Sequence, residues 1–190
     1  LPKGNNLSLH LLELFTSQVA KVGMTDGIRQ VLQEESDALR AYYEQAGILI
    51  ARPAGGTSCR LAISAKGGTN AENHNHNDVG SYAVALGSET MVGDQGGPNS
   101  YPGDYFNGDA PQKYKIKGSF GHPVPVVDGR TQSSGGKAKG VVLQKEFTNE
   151  KDVFSIDYTS AYSIPHLDKL SRTFVYDRLG AGNSSVGDEF

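Results

Sequence analysis

The chain has 190 residues, room for one ordinary domain with a real core. Its formal net charge is −3 with Lys and Arg scattered, so there is no basic stripe for nucleic acid, and no apolar run reaches membrane-spanning length. Twenty-four glycines, nine tyrosines and no tryptophan, with only 37% hydrophobic residues, suit an all-β fold with tight turns.

The opening pattern is helical. Leu7, Leu11, Leu14 and Phe15 share a face, extended by Leu12 and Val19, which predicts a helix over 7–22 ended by Gly23. Thr25 can cap a second helix with Ile28, Val31, Leu32, Leu39, Tyr42 and Tyr43 on its apolar side and Gly47 after its end. Two helices opening a β-rich chain need a partner face, so residues 1–46 are expected to end an upstream helical domain. Leu1 is not a methionine and the sequence stops within structured-looking chain, so a piece of a longer protein is expected.

From Ile48 the period becomes two. Strands are predicted at 48–52, 59–64, 82–86, 89–92, 113–117, 124–127, 141–147, 153–160 and 170–176. In 82–86, Tyr82, Val84 and Leu86 face one way; in 113–117, Tyr114 and Ile116 face inward and three lysines outward. Gly55-Gly56, Gly67-Gly68, Gly96-Gly97-Pro98, Asp128-Gly129 and Gly135-Gly136 punctuate the strands, and 180–185 reads as a flexible patch. The expected fold is mainly β: an antiparallel two-sheet β-sandwich over 47–190, preceded by two short helices. Cys59 is the single cysteine, which excludes an internal disulfide.

Chemistry concentrates in Asn73-His74-Asn75-His76-Asn77-Asp78, a polar run between apolar strands. If the run is extended, His74 and His76 point to one face and can reach one site. Such a pair either binds one metal with both rings or divides the work. Neutral imidazole and carboxylate are good zinc donors, and Asp94, at a strand end, and His122, in a loop, are candidate companions. His10 and His166 read as structural or solvated.

These motifs in this order resemble the heparinase II/III family of polysaccharide lyases. The resemblance runs from Lys66-Gly67-Gly68 through the His74–Asp78 run to Gly93-Asp94-Gln95-Gly96. It continues through Gly121-His122-Pro123-Val124-Pro125, Asp128-Gly129, Gln132 and Ser171-Arg172-Thr173-Phe174. It spans about residues 47–178. It implies a structural zinc held by His76, Asp94 and His122, a catalytic His74, and substrate contacts from Asn73, Tyr101 and Tyr105. It also implies a periplasmic or secreted protein acting on an acidic polysaccharide or oligosaccharide, with a helical toroid of the same parent chain supplying further catalytic groups. In such a lyase a base takes the C5 proton of a uronate and the 4-linked oxygen leaves. An amide offsets the carboxylate charge, a near-neutral imidazole accepts the proton, and a tyrosine protonates the leaving oxygen. The isolated chain is then expected to be inactive.

Two other readings compete. Gly68, His74 and His76 copy the start of a cupin motif, but Gly80 and Ser81 stand where its Glu belongs. A noncatalytic carbohydrate-binding sandwich would use Tyr101, Tyr105 and Tyr114 for stacking but leaves His74, His76 and Asp94 unexplained.

Overall fold

A computed structural model describes residues 38–94, 98 and 100–190. The helix expected over 7–22 and the start of the second lie outside the described residues. The described chain is mainly β and antiparallel. The first sheet contains β1 (Arg40–Tyr43), β2 (Ile48–Ala51), β3 (Leu61–Lys66), β5 (Tyr82–Leu86) and β6 (Glu89–Val92), in the order β1-β2-β3-β5-β6. The second contains β8 (Val141–Phe147), β9 (Lys151–Asp157), β10 (Ser171–Asp177) and β11 (Asn183–Glu189), in the order β11-β10-β9-β8. A two-stranded ladder joins β4 (Thr69–Asn70) to β7 (Gly135–Lys139).

Period-two patterning makes one core between the two larger sheets. Leu49, Ala51, Ile63 and Ala65 of the first sheet cluster with Phe154, Ile156, Phe174 and Tyr176 of the second. Tyr82 meets Phe174 and Tyr42 meets Phe154 edge-on, each at 5.8 Å between ring centroids. Tyr82 and Val84 pack on this core, as their shared face predicts.

Four expectations change. Residues 40–43, read as helix, are a strand paired with β2 from Arg40↔Ala51 to Tyr43↔Ile48. Gly47, read as a helix terminator, has φ of 61° in the hairpin between them, where an added Cβ would lie 2.7 Å from Gly68 N. Both roles need a left-handed residue, so the sequence signal was shared. Residues 113–117 are not a strand: α1 (Ala110–Lys113) begins with Pro at its first turn and runs into a 3₁₀ turn at Lys115–Lys117. That turn buries Lys117 instead of exposing it. Residues 124–127 contribute only a Val127↔Arg130 bridge, because Pro123 and Pro125 have no N–H to donate. β7 and β11 were not predicted. β11 carries Val186 as its single large apolar residue and exists by pairing with β10 along its whole length, from Ser171↔Glu189 to Asp177↔Asn183.

A buried charge group ties the sheets together. Asp152 of β9 accepts from Arg40 Nε of β1 at 2.8 Å and from Arg178 Nη2. Arg178 also donates to the carbonyls of Arg52 at 2.7 Å and Leu39 at 2.9 Å. Asp152 and Arg178 are both almost fully buried, at 1% and 3% exposed. Removing one partner strands the other's charge in the core. Asp152→Ala should therefore lower unfolding free energy by roughly 3–5 kcal/mol in urea denaturation, far beyond an exposed pair such as Lys169–Glu189.

Candidate metal centre

The polar run is held by amides rather than by strand pairing. Gln132, 1% exposed, accepts at Oε1 from Asn70 Nδ2 and from Val79 N, both at 3.0 Å, and donates from Nε2 to Val79 O at 2.7 Å. Asn77, also buried, donates to Gln132 O at 3.0 Å and to Ser134 Oγ at 3.1 Å. Gln132 N in turn donates to Ser119 Oγ at 2.9 Å, which fixes the 3₁₀ turn Ser119–Gly121 that delivers His122. Gly121 is required there, since a Cβ would lie 2.5 Å from Ile116 O. Arg172, clamped by Asp188 at 2.7 Å through two nitrogens, donates to Pro123 O at 2.7 Å and Gly80 O at 2.8 Å. One buried guanidinium thus holds the backbone beside both His122 and Asp78.

His122 sits at the middle of the resulting cluster. Its Nε2 lies 3.1 Å from His76 Nδ1 and its Nδ1 lies 2.6 Å from Asp94 Oδ2. Asp94 follows β6, while His122 is 7% exposed. One donor atom each from Asp78, Asp94 and His122 lie within 4.8 Å of one another, a set able to hold a metal ion. His76 and Asp94 each contact His122, but the group whose donor atoms converge is Asp78, Asp94 and His122, in which Asp78, not assigned a role from sequence, stands in place of His76. Its place two residues beyond His76 in the same run was the available signal.

The donor set fits a cation. Two imidazole nitrogens bound to one tetrahedral zinc would stand roughly 3.3 Å apart, close to the His76–His122 separation of 3.1 Å. Asp94 accepting from His122 Nδ1–H fixes the tautomer whose Nε2 lone pair faces His76 and the cluster. Burial draws the His76 pKa below its usual value, and His122 acts in the same direction against Asp78 and Asp94. Both effects favour the neutral imidazole, the form that ligates a metal. Lys66, 2.6 Å from Asp78 Oδ1 and 3.3 Å from Glu72 Oε2, supplies a balancing positive charge. A cavity of about 210 Å³ opens beside Lys66, Asp78, Ser81 and Asp94.

His74 behaves differently from His76. The run is not extended: Asn75 N donates to Glu72 O at 3.2 Å to close a turn, and His74 has φ of 59°. The expectation that both rings share a strand face fails for that reason. His74 is exposed and its ring lies tilted against that of Phe106, 4.4 Å between centroids, apart from the His122 contacts. Asn73 is exposed in the same turn. Tyr101 and Phe106 present rings to solvent, 57% and 48% exposed and 5.2 Å apart. Tyr105 is 1% exposed and supports both from below, at 5.0 and 5.3 Å. Phe106 and Lys117 were missed from sequence, since each looks like an ordinary loop or surface residue there.

No protein-family model matches the chain, and no curated protein matches it.

Gln132→Leu should leave the Val79 N–H and C=O buried without their partners. At about 1–3 kcal/mol for each such group, stability should fall by several-fold more than for a surface change, and cation affinity should weaken with it. Denaturation with metal titration of the variant checks both. Unchanged affinity would mean that the amides do not set the centre.

Proposed function

We propose that the chain is the β-sheet part of a polysaccharide lyase that cleaves uronic-acid-containing chains by β-elimination, with zinc in a structural role. The observation that carries this reading is the division within the polar run. His76 meets His122, which Asp94 orients, while His74, two residues away, is turned out to solvent beside exposed aromatic rings. Zinc, when bound, would act as a crosslink between the 70–79 segment, the end of β6 and the 119–122 turn.

Every chemical step then falls to side chains. A sugar ring lies against Tyr101 and Phe106, Asn73 hydrogen-bonds its carboxylate, and His74 in its neutral form takes the C5 proton. The electron pair left at C5 forms the double bond to C4 as the 4-linked oxygen departs. A tyrosine from the helical toroid of the parent chain protonates that oxygen. The ordered run of motifs from Lys66 to Phe174, which resembles the heparinase II/III family, supports this reading. A noncatalytic carbohydrate-binding role is the second reading, favoured by the exposed Tyr101 and Phe106 rings.

Elemental analysis should find stoichiometric zinc in the chain and little in His122→Ala, which should also melt at lower temperature. No zinc in the unmutated chain, or undiminished zinc in that variant, would remove this site from the proposal. In a polypeptide joining this chain to its helical toroid, His74→Ala should keep zinc and melting temperature but lose turnover by about a hundredfold or more, read as ultraviolet absorbance of the unsaturated product. Full turnover without His74 would refute the assignment of the base. The chain alone should show no turnover, because groups acting as a unit lose most of their effect when separated. Binding of glycans with no turnover even in the joined polypeptide would favour the second reading.

A further inference from the structure

The first sheet is apolar on both faces. Its inward residues Leu49, Ala51, Ile63 and Ala65 are buried in the core. Strand pairing puts the residues between them on the outward face. There Ala41 stands opposite Ile50, Ile50 opposite Ser64, Ser64 opposite Ala83, and Ala62 opposite Ala85. Tyr43 and Ile48 extend that face toward Lys66. Tyr43 is 55% exposed and the others are half-buried. An antiparallel sheet with one face in water alternates apolar inward and polar outward. The second sheet does so: the pairs Lys151 and Asp177, Ser155 and Thr173, and Asp157 and Ser171 stand on its outward side, with Val153 and Val175 among them. The first sheet instead carries Ile48–Ala51, Leu61–Ala65 and Tyr82–Leu86, the near-continuous apolar pattern of strands covered on both sides. Its outward face thus has the composition of a covered surface while remaining half-open among the described residues.

One segment of the chain is placed to cover it. β1, the edge strand that contributes Ala41 and Tyr43 to this face, follows directly on residues 1–37, so that segment reaches the sheet at the rim of the open face. Leu7, Leu11, Leu14 and Phe15 of the segment fall at helical spacing and need an apolar partner. A helix over 7–22 would be roughly 24 Å long at about 1.5 Å per residue. That is enough to cross the five strands, which span roughly 20 Å at about 4.8 Å spacing. The centre of the face is Ala62, Ser64, Ala83 and Ala85, side chains small enough to admit Leu and Phe from a facing helix. We propose that residues 7–22 dock as an amphipathic helix on the outward face of the first sheet and form a third layer. The cavity lined by Ile48, Ser64, Ala83, Lys66, Asp78 and Asp94 opens on this face, so the docked segment roofs it and shields the two carboxylates from one side. The inference does not rest on the lyase reading.

Paramagnetic broadening in the full chain tests the docking. A nitroxide is attached at Glu13→Cys, on the polar side of the expected helix, in a Cys59→Ala background, and the amide NMR spectrum is compared before and after the label is reduced. Ile50, Ser64 and Ala83 should lose most of their amide signal, while Thr173 and Val175, on the outward face of the second sheet, keep theirs. Leu11→Glu combined with Leu14→Glu should restore the lost signals and lower the melting temperature. Those two changes lie outside the sandwich, so its own dispersed spectrum reports that it remains folded. A third sample mixes the spin-labelled chain with an isotope-labelled chain that carries no nitroxide, and its signals should stay intact. Signal loss in that mixture would make a second copy the occupant and overturn the inference. Intact signals at Ile50, Ser64 and Ala83 in the labelled chain, or a loss that persists with both leucines replaced, would overturn it equally.

Discussion

The buried amide of Gln132 is the constraint on which the rest of the site depends. A glutamine side chain with both its oxygen and its nitrogen engaged can sit in a core at little net cost, and it fixes position through angle as well as distance. Here it joins Asn70, Val79 and, through its backbone, Ser119. The segment carrying His76 and Asp78 and the turn carrying His122 are thereby referenced to one buried group. Neither segment is a regular strand, so this link, together with those from Arg172 and Asn77, sets their positions.

Charge is arranged around this anchor with the same economy. Arg172 places its backbone acceptors beside the cluster, and Asp188 neutralises it. Lys66 pairs with Asp78, and the Asp94 carboxylate accepts from the His122 ring. The buried Arg178–Asp152 pair plays the equivalent role at the far side of the sandwich, where it joins the two sheets instead of a site. Lys117 departs from this pattern, a buried cation with rings and a carbonyl around it but no carboxylate among the described residues.

The mainly β, antiparallel character was legible because alternating apolar residues leave a period-two trace. Ile48–Ala51, Tyr82–Leu86, Glu89–Val92 and Val141–Phe147 were read nearly to the residue. The trace fails where strands are formed by pairing alone, as in β11 with its serines and acids, and where prolines or a 3₁₀ turn imitate alternation, as at 113–117 and 124–127. Within the site, the family resemblance singled out His76, Asp94 and His122, and His76 and Asp94 do each contact His122. The turn at His74 was not, because its positive φ arises from contacts of Glu72 and Asn75 that no local pattern announces. Asp78, Gln132 and Lys117 acquire their roles from burial, and burial of polar residues is what composition conceals best.

The central claim is that one cation joins segments distant in sequence through the imidazoles of His76 and His122, with carboxylate oxygen completing its shell. Zinc-edge X-ray absorption fine structure of the purified chain tests it most directly. The account predicts stoichiometric zinc with about four nitrogen or oxygen neighbours at roughly 2.0–2.1 Å and the outer-shell scattering of two imidazole rings. A shell without imidazole scattering, or one containing sulfur, would contradict it.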